Sequence, residues 1–95
     1  MIQQMTGARH AIVLANGTAA LHLACLAAEI GPGDALATSP ITFLASANCA
    51  LYVGARPVFT DIDGATLNMD PAALQEAFAA GPLKAVVPVH FAGLP

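Results

Sequence analysis

Three short stretches of this 95-residue chain carry side chains whose types and spacing suit the binding of a small charged molecule. In the first, Ala15-Asn16-Gly17-Thr18-Ala19-Ala20 joins an apolar run to an alanine-rich one through a single glycine. Free amides at a helix start, together with the helix dipole, favour an anion such as a phosphate. Gly17 lets the backbone come close to such a group, and Thr18 adds a hydroxyl donor. The same residues also suit an ordinary tight turn with Thr18 as N-cap. With one glycine and no Gly-Lys pair, the stretch is neither a G-x-G-x-x-G fingerprint nor a P-loop.

The second stretch, Thr38-Ser39-Pro40-Ile41-Thr42-Phe43, sets an aromatic ring at a strand-to-helix junction. A flat ring there can stack on a planar ligand or simply fill core. Asn48, further along the same helix, is either a polar helix-face residue or a ligand contact. The third stretch, Pro88-Val89-His90-Phe91-Ala92-Gly93, places an imidazole at a strand's end. His90 either acts on a substrate or bonds a neighbouring loop. His10 and His22 have no evident partners and are read as structural.

The elements that must position these stretches follow from the apolar pattern and its punctuation. Ala11–Ala15 is a short apolar run and predicts a buried strand. A helix is expected over Thr18–Ile30, stopped by Gly31-Pro32-Gly33. A strand at Ala35–Thr38 and a helix over Thr42–Val53, closed by Gly54, come next. Pro57–Thr60 predicts a third strand, ending in the acidic turn Asp61-Ile62-Asp63-Gly64. Asp70-Pro71 opens another helix, because Asp caps free amides and Pro suits the first helical position. Its apolar face holds Leu74, Ala77 and Phe78, and Gly81-Pro82 ends it. Ala85–Val89 predicts a fourth strand, with Pro88 near its end because proline cannot donate to a ladder.

Strands alternating with helices specify a parallel α/β sheet, and continuous apolar strands imply cover on both faces. Ligands of such sheets bind beyond the carboxyl ends of the strands, where all three stretches lie. The last element runs into His90–Pro95 as a loop beginning, so the sheet reads as truncated.

Composition narrows the function classes. Hydrophobic residues make up 57% and charged residues 9% of the chain, against about 25% charged in a typical soluble domain. Mean hydropathy is +0.68. Such a chain belongs in a membrane or within a larger fold that covers its apolar faces. Residues 10–28 and 35–55 are uncharged and long enough to span a bilayer at roughly 20 residues per helix. Both are broken by polar residues, glycine or proline, so no membrane span is expected. No basic, apolar-cored leader opens the chain. Net charge is −3, and Arg9, Arg56 and Lys84 are too few and too scattered for a nucleic-acid footprint. Cys25 and Cys49 lack metal-ligand spacing and are expected to be buried, reduced thiols of a cytoplasmic protein.

Taken together, five segments resemble one family in order and spacing. They are Asn16–Leu23, Gly31–Asp34, Ser39–Asn48, Gly54–Asp63 and Pro88–Gly93, covering the chain from about Gly7 to Pro95. The chain resembles the DegT/DnrJ/StrS sugar aminotransferases, pyridoxal 5'-phosphate enzymes of fold type I. The wording of Ser39–Phe43 and Val89–Gly93 is most similar to the UDP-4-amino-4,6-dideoxy-N-acetyl-β-L-altrosamine transaminases of pseudaminic acid biosynthesis.

The resemblance implies that residues 1–95 are an incomplete part of the PLP-binding large domain, a partial three-layer α/β sandwich with a mostly parallel sheet. It implies that Gly17, Thr18 and Ala19 hold the cofactor phosphate and that Phe43 stacks on the pyridine ring. Asn48 and His90 match positions near the substrate. The aspartate that pairs with the pyridine nitrogen and the Schiff-base lysine are implied to lie beyond Pro95, so no catalytic residue is assigned here. Lys84 stands at the wrong end of the sheet, and Asp61 and Asp63 match a structural acidic turn. The parent is implied to be a homodimer that moves an amino group from glutamate to a keto group of a nucleotide-linked sugar. Two alternatives stay open at this stage. One is a sugar dehydratase of the same fold; the other is a non-catalytic, Rossmann-like nucleotide-binding module.

Overall fold

The computed structural model describes residues 1–95. Its elements are α1 (Ile2–Thr6), α2 (Gly17–Ala27), β1 (Ala35–Thr38), α3 (Ala45–Tyr52), β2 (Arg56–Phe59), α4 (Pro71–Ala80) and β3 (Ala85–Val87), followed by a 3-10 turn at Phe91–Gly93. The three strands form one parallel sheet in the order β2-β1-β3. Leu36 lies opposite Pro57 on one side and Ala85 on the other; Thr38 lies opposite Phe59 and Val87.

The central strand is buried along its whole length, as its apolar run requires. On one face Leu36 joins Cys25 and Ile30 from the α2 region, Cys49 and Ala50 from α3, and Ala55 in a single core. Side chains alternate along a strand, so Arg56 and Val58 point to the opposite face. There they border a small cavity with Ala77 and Ala80 of α4. Helices thus cover both faces, which gives the expected three layers. The connections β1-α3-β2 and β2-α4-β3 run in opposite directions across the sheet. Right-handed crossovers in opposite senses place their helices on opposite faces.

Element ends follow local chemistry. Asp70 accepts the Ala72 amide at 2.8 Å and Pro71 occupies the first turn, as the sequence predicts. Helix α2 stops at Ala27, three residues before the expected Ile30. There Glu29 adopts φ 53°, its amide bonds to Leu26 O and the Ile30 amide bonds to Cys25 O. That paired closure is a Schellman motif built without glycine, and Cys25 and Ile30 supply its apolar contact. Gly54 closes α3 at φ 76°, and a Cβ there would stand 3.1 Å from Pro32 Cγ. No helix is long and apolar enough to cross a membrane.

Two expectations are corrected. Ala11–Ala15 forms no strand. An apolar run signals burial but needs a ladder partner, and neither edge strand of this sheet pairs with it. Ile12 and Val13 are instead 82% and 79% exposed, while Ile12 and Leu14 line an apolar groove against Leu23 and Ala27 of α2. Helix α3 begins at Ala45 rather than Thr42, because Ser39–Leu44 is spent on a turn after Pro40. Smaller shifts occur at β2, which spans Arg56–Phe59, and at β3, which ends at Val87 before Pro88.

Candidate functional site

Helix α2 opens toward the carboxyl edge of the sheet. Asn16, in an extended conformation, is its N-cap, and its Oδ1 accepts the Ala19 amide at 2.8 Å. The Ala20 amide bonds to Asn16 O at 3.2 Å. Of the first-turn donors, the Gly17 and Thr18 amides are left without a protein acceptor. Thr18 is therefore the second helical residue and not the cap. Asn directly before Gly-Thr was the available signal, since Asn leads the N-cap ranking.

Gly17 is not in the left-handed region, and a Cβ built on it meets no atom within 4 Å. Nothing within the chain demands glycine at this position. A bare backbone there leaves room for a ligand to reach the amide itself.

These donors face an open cavity of about 730 Å³ bordered by Asn16, Gly17, Thr18, Phe43 and Ser46. That volume lies within the roughly 300–1,000 Å³ of small-molecule sites. Phe43 is 78% exposed, so its ring is not core. Thr42 Oγ1 donates to the buried Ser46 Oγ at 2.7 Å, which ties the turn to the first residues of α3. No charged side chain borders the cavity. Anion attraction must come from amides, hydroxyls and the dipole of the 11-residue α2.

Gly17, Thr18 and Phe43 are thus brought together. Ala19 stands beside them with its amide committed to Asn16. Asn48 is half-buried on α3 and His90 is exposed beyond β3; neither borders the cavity. The His90 loop leaves the same carboxyl edge of the sheet as Ser39–Leu44, because β1 and β3 are parallel neighbours.

Lys84, Asp34 and Asp63 are engaged away from the cavity. Lys84 Nζ bonds to Glu29 O at 2.9 Å and to Asp34 Oδ2 at 3.3 Å, at the amino end of β1 and β3. Asp63 Oδ1 accepts the Ala65 and Thr66 amides and the Thr66 hydroxyl. These bonds, the Thr66 amide foremost, hold its carboxyl below the usual range. Both free cysteines are buried in the core. No three His, Cys, Asp or Glu side chains converge to hold a metal.

A sequence profile of the DegT/DnrJ/EryC1/StrS aminotransferase family matches residues 1–95. The spore coat polysaccharide biosynthesis protein SpsC of Bacillus subtilis is 55% identical over 87 residues, 92% of this chain and 22% of that protein. The chain thus spans about a fifth of the length of that relative. A DegT DnrJ EryC1 StrS aminotransferase from Brucella abortus superposes with a TM-score of 0.93 at 38% identity, covering 99% of this chain and 27% of that one. A candidate sugar aminotransferase from Streptococcus pneumoniae in its PLP form superposes with a TM-score of 0.73 at 38% identity, covering 82% of this chain and 20% of that one.

Proposed function

The chain belongs to the DegT/DnrJ/EryC1/StrS aminotransferase family, and from that premise we propose that it forms the phosphate-binding and ring-stacking wall of a longer, PLP-dependent sugar aminotransferase. The observation that carries this reading is the meeting of unpaired Gly17 and Thr18 amides with the exposed Phe43 ring on one uncharged cavity. The residues present fit pyridoxal phosphate. The Gly17 and Thr18 amides and the Thr18 hydroxyl would hold the phosphoryl group at the helix start, and Phe43 would stack on the heterocycle. The Ala19 amide, held by Asn16 Oδ1, would lie beside the phosphoryl group.

When bound, the cofactor supplies the electron sink for amino transfer, and the protein supplies binding and orientation. This chain's share is to fix the phosphate and one face of the ring. Its only lysine, Lys84, is ion-paired at the opposite end of the strands, so the covalent lysine belongs to a segment outside residues 1–95. In our reading these residues are part of a large domain that works as a cytoplasmic homodimer. The donor is glutamate and the acceptor a keto group on a nucleotide-linked sugar, with Asn48 and His90 on the substrate side. The altrosamine-type UDP sugar of pseudaminic acid synthesis is the acceptor we favour, on the wording of Ser39–Phe43 and Val89–Gly93.

The test uses the full-length protein. PLP titrated by absorbance should bind wild type, with affinity lowered by Phe43→Ala and by Thr18→Val. Unchanged affinity in both variants removes the assignment of these loops. Incubation with glutamate and UDP-linked 4-keto sugar should yield 2-oxoglutarate and an amino sugar. Loss of a sugar hydroxyl without 2-oxoglutarate would mark a dehydratase instead.

A further inference from the structure

The loop that carries His90 is held by a side chain from another part of the chain. Asn68 lies in the β2–α4 connection, and its Oδ1 accepts the Phe91 amide at 2.8 Å. Its Nδ2 donates to Leu94 O at 3.0 Å. One amide side chain thus brackets both ends of the 3-10 turn Phe91–Gly93, in which Ala92 and Gly93 have φ 52° and 83°. The two bonds use the amide oxygen as acceptor and the amide nitrogen as donor, so neither Asp nor Ala reproduces them.

Asn68 is itself fixed by its own loop. Its carbonyl accepts the Asp63 amide at 2.9 Å, and its amide bonds to Thr66 Oγ1 at 3.3 Å. Ile62 and Met69 form an antiparallel bridge, and the Asp70 amide reaches Asp61 O at 2.9 Å. The Asp63 carboxylate closes the tip. A turn with two left-handed residues is being held by a preorganised clamp, and the residue just before it is His90.

We propose that Asn68 is a positioning residue: by bracketing Phe91 and Leu94 it sets where His90 stands at the carboxyl edge of β3, on the substrate side of the site. This rests on the proposed aminotransferase function. It goes beyond that function in assigning a role to a residue outside the cofactor loops.

The experiment compares Asn68→Ala and Asn68→Asp with wild type in the full-length holoenzyme. Hydrogen exchange at the Phe91 amide should quicken in Asn68→Ala and less in Asn68→Asp, which keeps the acceptor. The KM for the keto sugar nucleotide should rise about tenfold in Asn68→Ala, the scale of a lost hydrogen bond, with the PLP titration midpoint within about twofold of wild type. His90→Ala should raise KM alike, and adding Asn68→Ala to it should raise KM little further. Quickened exchange with unchanged KM, or additive KM effects in the double variant, overturns the positioning role. Should Asn68→Ala fail to fold, Asn68→Asp decides on the same readouts. A wild-type protein that binds PLP but transfers no amino group to a keto sugar defeats the proposed function itself, and this role with it.

Discussion

Asn16 Oδ1 accepts the Ala19 amide at 2.8 Å, so a side chain stands where the first turn of α2 would otherwise offer three free donors. The contact serves the helix and faces the cavity at once, and those two duties can be separated. Asp caps a helix about as well as Asn, but brings a negative charge to the anion site. Asn16→Asp should leave urea-induced unfolding within about 0.5 kcal/mol of wild type while weakening PLP binding at least about tenfold. Asn16→Ala should lose about 1 kcal/mol of stability through the missing cap.

Phe43 gives the complementary separation. Its ring is mostly in solvent, so Phe43→Ala should change the denaturant midpoint by less than about 0.5 kcal/mol equivalent. Stacking geometry is worth about 0.5–1.5 kcal/mol, so PLP affinity should fall about two- to thirteenfold by absorbance titration. A large stability loss without an affinity loss would return Phe43 to the core.

Two left-handed positions predict opposite signs. Gly54→Ala places a Cβ at φ 76° and 3.1 Å from Pro32 Cγ, and should cost about 2 kcal/mol in thermal or urea unfolding. Glu29→Gly relieves a non-glycine residue at φ 53° and should stabilise by about 0.5–1 kcal/mol. The Lys84 contact to the Glu29 carbonyl survives that change, because it is made to the backbone.

The pH limits follow from two groups. The Gly31 amide, followed by Lys84, holds the Asp34 carboxyl below its ordinary 3.8. The native state then binds fewer protons than the unfolded chain near that value. This contribution is present above pH about 4 and disappears as pH falls through the native pKa. Burial, followed by the neighbouring Cys49 thiol, pushes Cys25 from 9.0 up to about 11. There the native state keeps its proton longer, so stability is full below pH about 9 and declines toward 11. Equilibrium unfolding against pH should show both limbs. Asp34→Asn should flatten the acid limb and Cys25→Ala the alkaline one.

Much of this was legible in the residues, and the exceptions share a cause. Ala35–Thr38 was recognisable as a strand because its apolar run ends at turn formers on both sides, and Asp70-Pro71 states its own helix start. Ala11–Ala15 has the same apolar character, but pairing depends on a partner that composition does not reveal. The cap at α2 is Asn16 rather than Thr18, in line with the higher N-cap rank of Asn, because the residue that stays extended makes the cap. Gly17 and Phe43 carry a binding signal in the sequence, and the structure brings them to one cavity. Asn68 carries no local signal, since its partners lie 23 and 26 residues away.

The strand order leaves β2 and β3 each with one outer edge that no ladder in this chain engages, and on β2 Pro57 removes one of the outward donors. Charge that would discourage sideways addition is confined to Arg56 at the start of one and Lys84 just before the other. Those margins are the places where further backbone of a longer protein can add to this sheet.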